Sequence, residues 1–176
     1  MKKIFSVAVL MMLLALTSCK DKGTYSSPKI TFVEILINDK KAEESVLCVG
    51  DTLKIGMALS SYYNRLTYFN VTTDRSYFKD SIFSDADFAT LCNTEASDRS
   101  TGRYVFKTFD EGTAIIINKA MFIATKSPNS SDKSVLLQFD LKNDSPLSDE
   151  FNPISYRFKF KIVEKESSEE EEEEVK

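Results

Sequence analysis

Ile154, Tyr156, Phe158, Phe160 and Ile162 alternate without a break with Ser155, Arg157, Lys159 and Lys161. A strand turns successive side chains to opposite faces, so this run presents one apolar and one wet face and cannot do so as a helix. The same period recurs at Leu53, Ile55, Met57 and Leu59, and again at Val135, Leu137, Phe139 and Leu141. Ile30–Ile37, Val46–Val49, Leu66–Thr73, Arg103–Phe109 and Thr113–Thr125 are β-rich runs between turn signals, the last long enough to bend near Asn118. Asp110-Glu111-Gly112 marks a hairpin between two of them. Asp74–Asn93 has a different texture: Ser84-Asp85-Ala86-Asp87 ahead of Phe88, Leu91 and Cys92 predicts a capped helical turn or two near 84–93. About seven short strands with almost no helix predict a single, antiparallel β-sandwich.

Composition removes several functions. The chain has no His and no Trp, which takes away the commonest general base, the commonest transition-metal ligand and the strongest stacking residue, although seven Tyr remain. The net charge of −4 is unevenly placed. Residues 19–163 hold 19 basic and 19 acidic side chains, whereas residues 164–176 hold eight Glu against two Lys. A neutral domain offers no footprint for a phosphate backbone, so no nucleic-acid partner is expected. The run Glu169–Glu174 repels itself and predicts a disordered acidic tail. No phosphate-binding glycine loop, Cys-x-x-Cys pair or Gly-x-Ser-x-Gly elbow occurs, and no cofactor and no enzymatic activity are expected. Asp80, Asp85 and Asp87 supply oxygen donors for calcium, but without the glycine and distal glutamate of a calcium loop they read as capping residues, and no metal site is assigned.

The first residues set the address. Lys2 and Lys3 precede an apolar run, Ile4–Leu16, too short to span a bilayer, which is the layout of a secretory signal. The closing Leu16-Thr17-Ser18-Cys19 resembles the lipobox of bacterial lipoproteins. That resemblance implies removal of residues 1–18, acylation of Cys19 (palmitate among the chains) and attachment to the cell envelope, since several acyl chains hold a protein stably. Lys20 differs from the Asp that directs inner-membrane retention in the proteobacterial system, which favours the outer membrane. Lys20–Pro28 then reads as a flexible tether, residues 29–163 as the domain and 164–176 as the tail.

The domain resembles the immunoglobulin-like domains of lipid-anchored Bacteroidota-type proteins, most clearly at Gly50-Asp51-Thr52-Leu53-Lys54-Ile55. The Cys-Trp-Cys arrangement of antibody domains is missing, so the resemblance supplies a layout and no function. Asp51-Thr52-Leu53 and Asp80-Ser81-Ile82 are similar to the Asp-Ser/Thr-apolar acceptor of O-glycosylation in that group, which implies Thr52 and Ser81 as acceptors. Cys48 and Cys92 read either as a disulfide in an oxidising compartment or as two buried, unpaired thiols. Tyr62, Tyr63 and Asn64 sit in a break between strands and are the candidate ligand contacts. The reading is a lipid-anchored binding or structural accessory module with an envelope protein or glycan as partner. A loop-acting envelope inhibitor is the alternative and a hydrolase a third; a rigid, exposed loop at 60–64 favours inhibition, and an aromatic sheet face favours glycan or peptide binding.

Overall fold

The computed structural model describes residues 25–128, 134–147 and 151–165. The signal, Cys19 and the Glu169–Glu174 run lie outside them. The strands are β1 (Lys29–Ile37), β2 (Lys40–Lys41), β3 (Val46–Cys48), β4 (Thr52–Ser60), β5 (Leu66–Thr73), β6 (Phe78–Ser81), β7 (Arg103–Val105), β8 (Ile115–Ala124), β9 (Ser134–Asn143) and β10 (Ile154–Val163), with one helix, α1 (Asp85–Leu91). They form two five-stranded sheets, ordered β2-β1-β4-β8-β6 and β3-β10-β9-β5-β7. The sheets face each other as the sandwich that the alternation predicts.

The inward set of β4 is fully buried at Leu53, Ile55, Met57 and Leu59, as is that of β9 at Leu137, Phe139 and Leu141. Each such side chain stabilises the fold by roughly 1.5–3 kcal/mol relative to exposure. Aromatic rings join the layers: Phe139 of β9 meets Phe122 of β8 edge-on at 6.1 Å and stacks on Phe69 of β5 at 5.9 Å. The bend expected near Asn118 is a bulge. Ile55 pairs with Ala120 and Met57 with Ile117, so Asn118 and Lys119 together oppose Gly56. A Cβ on Gly56 would stand 3.0 Å from Glu34 Cγ and 3.2 Å from the Asn118 carbonyl oxygen, so the glycine leaves room for the close approach opposite the bulge.

Three features differ from expectation. The sandwich has ten strands among the described residues, because β2 and β6 escape a period-two search: β2 is a two-residue hairpin return, and in β6 only Phe78 is buried. The pairing is not all antiparallel, since β3 runs parallel to β10 at Val46–Cys48. The expected tether is shorter than Lys20–Pro28, because Pro28 is buried and Ser26 is bonded on both sides of its peptide. The helix begins as predicted, with the Ser84 hydroxyl accepting from Asp87 N at 3.1 Å.

The two ends of the sandwich are chemically distinct. Lys29 pairs with Ser60, Leu59 with Ile115, Leu66 with Asn143 and Ile154 with Leu141, so the chain entry and the segments 61–65, 109–114, 144–147 and 151–153 share one end. Cys48 pairs with Val163 and Thr52 with Ile123, which puts the exit of β10 at the other.

Candidate functional site

At the entry end, the 61–65 loop is pinned by a buried polar network. Asn143, 1% exposed, donates from Nδ2 to the Ser26 carbonyl at 2.7 Å and to Ser61 Oγ at 2.8 Å, while its Oδ1 accepts from Ser145 N at 3.1 Å. Asn152 completes it, donating to the carbonyls of Asn143 (3.0 Å) and Ser145 (2.9 Å) and accepting from Asn143 N (3.1 Å). Every amide hydrogen and oxygen of both side chains is used, the condition under which a buried polar network rigidifies its surroundings. Further along, Asn64 Oδ1 accepts from Ser26 N at 3.1 Å, and Arg65 N donates to the Asp144 carboxylate at 2.9 Å. Gly112, at φ +75°, approaches from the 109–114 loop; a Cβ there would stand 3.0 Å from the Tyr62 carbonyl oxygen.

That frame presents the aromatic pair. Tyr62 is 79% and Tyr63 55% exposed, with ring centroids 6.3 Å apart. Asn64 is corrected: at 8% exposure, with its Oδ1 accepting from Ser26 N, it holds the chain entry and is not exposed beside the two rings. Beside the pair lies a groove of about 290 Å³ lined by Lys29, Thr31, Ser60, Ser61, Tyr62 and Gly112. Tyr25 and Phe151 are also exposed at this end, at 54% and 49%.

The disulfide alternative for Cys48 and Cys92 is also corrected. Both are free, and they sit at opposite edges of one sheet, Cys48 on β3 and Cys92 bridged to Phe106 just beyond β7. Four strand spacings of ~4.8 Å separate those edges, far beyond the ~7 Å over which Cα atoms can be bridged. Burial pushes the Cys92 thiol up to about 11, so it is not held as a nucleophilic thiolate. Thr52 and Ser81 are both half-buried in paired strands, against Ile123 and Met121. Asp80, Asp85 and Asp87 are taken separately: Asp80 faces Arg75 at 3.6 Å, Asp85 faces Arg99 at 2.6 Å, and Asp87 accepts from the Ser84 hydroxyl at 2.8 Å. Among the described residues no group of three His, Cys, Asp or Glu is placed to hold a metal.

A surface that the sequence did not single out is the open side of the sandwich. β10 pairs with β9 along Ile154–Lys161, but β3 covers its other edge only at Lys161–Val163. Lys161 N donates toward β3, to Ser45 O at 2.8 Å, and Val163 O accepts from Val49 N at 2.9 Å. Because backbone groups alternate between edges, Ser155, Arg157 and Lys159 turn their N–H and C=O groups the same way, where the described residues supply no strand. Next to this edge, Phe32 of β1 meets Tyr156 at 5.4 Å and Phe158 at 5.0 Å, both edge-on. A groove of about 490 Å³ runs along β1 between Phe32 and Leu36 and reaches Lys41. The exposure of Tyr156 in the most regular alternation of the chain follows from this lack of cover.

No family model and no curated protein matches the chain. Among solved structures, a chain from the crystal structure of a CaDoc0917–CaCohA2 complex aligns with 77% of this chain and 100% of its own length, at 14% identity and a TM-score of 0.39. A likeness that loose carries no function with it.

Proposed function

We propose that the chain is a lipid-anchored cell-envelope module, held by acyl chains on Cys19, that does no chemistry and binds an extended segment of another envelope protein by strand addition to β10. The observation that carries this reading is the outward-facing backbone of Ser155, Arg157 and Lys159, beside which the described residues supply no strand. An unpaired strand edge recognises a peptide through main-chain hydrogen bonds, and neighbouring side chains select its sequence. Here Tyr156, Phe158 and Phe32 line the open side and supply apolar contact. The inhibitor alternative has the rigid, exposed Tyr62–Tyr63 loop on its side, but that loop stands at the tethered end of the domain.

Lys159→Pro tests the reading. Proline removes one outward N–H and leaves the β9 ladder its bonds, and an edge strand tolerates it on that side. The full chain is expected to capture a subset of phage-displayed random peptides, and Lys159→Pro is expected to lose them while its melting curve stays cooperative. Equal capture by both chains would refute strand addition at this edge.

A further inference from the structure

We propose that the entry end of the sandwich docks on the bilayer surface, with Tyr62, Tyr63, Phe151 and Tyr25 at the lipid headgroup boundary; this rests on acylation at Cys19.

Distance makes the first argument. Cys19 and Tyr25 are six residue steps apart, and at full extension a chain advances at most ~3.6 Å per step, so Tyr25 stands within about 22 Å of the acylated residue. Ser26, the next residue, is fixed to Asn64 and Asn143, so that limit applies to the folded domain itself. A domain of this length has a radius of gyration of roughly 14 Å, hence a diameter larger than the tether. A second folded protein of that size cannot fit between this end and the membrane even with the tether at full stretch. The anchored end therefore faces lipid more readily than protein.

The chemistry of the end agrees. Tyr62, Tyr63, Tyr25 and Phe151 are the large exposed apolar side chains placed there. Tyrosine and other aromatic rings settle at the boundary between headgroups and acyl chains, the ring in the apolar layer and the hydroxyl in the wet one. The charges of the same loops give no attraction to anionic lipid: Lys29 and Arg65 stand against Asp110, Glu111 and Asp144 among the described residues, and the sequence between Leu147 and Phe151 adds Asp149 and Glu150. Contact is then driven by the rings and not by attraction to anionic lipid. β10 is ten residues long and leaves at the opposite end, which puts the start of the acidic tail about 30 Å farther from the bilayer, beyond the reach of its surface potential.

The absence of tryptophan makes single-tryptophan reporters clean. The lipidated full chain carrying Tyr62→Trp, Phe151→Trp or Val46→Trp is reconstituted into vesicles of phosphatidylcholine with brominated acyl chains. Val46 is exposed beside the exit end and serves as the reference. The two entry-end reporters are expected to lose roughly half their fluorescence to the bromines, and the Val46 reporter little. If the chain floats with the vesicles and all three reporters stay equally unquenched, docking is overturned while the anchor stands, and the aromatic loop is free for a protein. A chain that does not float with the vesicles overturns the anchor and the docking together.

Discussion

Asn143→Ala is the sharpest test of how the entry end is held. The alanine removes two donors and one acceptor and leaves the Ser26 carbonyl, Ser61 Oγ and Ser145 N without their partner. Asn143 and Ser145 are buried, and a buried polar group left unpaired costs about 1–3 kcal/mol. Ser61 can rotate its hydroxyl and Ser26 lies nearer the surface, so the sum falls toward the low end, about 3–4 kcal/mol. That is a large share of the 5–15 kcal/mol that holds an ordinary domain together, and corresponds to a fall in Tm of roughly 10–15 °C. Urea unfolding of wild type, Asn143→Ala, Asn152→Ala and the double variant measures it. The Asn152 bonds to the Asn143 backbone survive the alanine, but both side chains hold Ser145, Asn143 at its N and Asn152 at its O, so the two losses should be partly non-additive. A loss under ~1 kcal/mol, or additivity, would show that water replaces the network and that it does not set the rigidity of the 61–65 loop.

Thiol counting on the denatured, unreduced mature protein should find both Cys48 and Cys92 reactive; a count of none would restore the bridge. In the native state Cys92 should react far more slowly than Cys48, because it is buried and its thiol stays protonated. Burial raises Cys92 from 9.0 to about 11 and Tyr104 from 10.0 to about 12, so the folded state holds these protons more tightly than the unfolded one. Stability should therefore be intact below pH 9.0 and fall as pH rises through about 11 and then about 12, with Cys92→Ala removing the earlier part of that fall; a flat profile would refute the burial argument. Cys19→Ala should abolish incorporation of a fatty-acid analogue, and label retained in that variant would overturn the anchor.

The strands were legible where one face is buried along their whole length. Leu53–Leu59 and Val135–Leu141 alternate because each strand lies inside a sheet with the other sheet above it. Ile154–Ile162 alternates as cleanly, yet Tyr156 stays 39% exposed with Phe32 against it, because pattern reports which face is apolar and not whether a neighbouring strand shields its edge. β6 was lost for the converse reason: at the edge of its sheet Phe78 alone is buried, and one residue carries no period. The candidate loop was found from two adjacent tyrosines, which are exposed. Asn64 was misread because a polar loop residue looks the same in sequence whether it meets solvent or ties down a chain 38 residues away. Asn143 and Asn152 gave no signal, since their partners come from four separate segments that only the topology brings together.

Amide hydrogen exchange along β10 tests the central claim most directly. In the free chain the amides of Ser155, Arg157 and Lys159 should exchange quickly while those of Tyr156 and Phe158, turned to β9, are protected. A captured peptide should protect the outward set and leave the inward set as it was. Outward amides already protected in the free chain, or unchanged when peptide is bound, would contradict recognition through this edge.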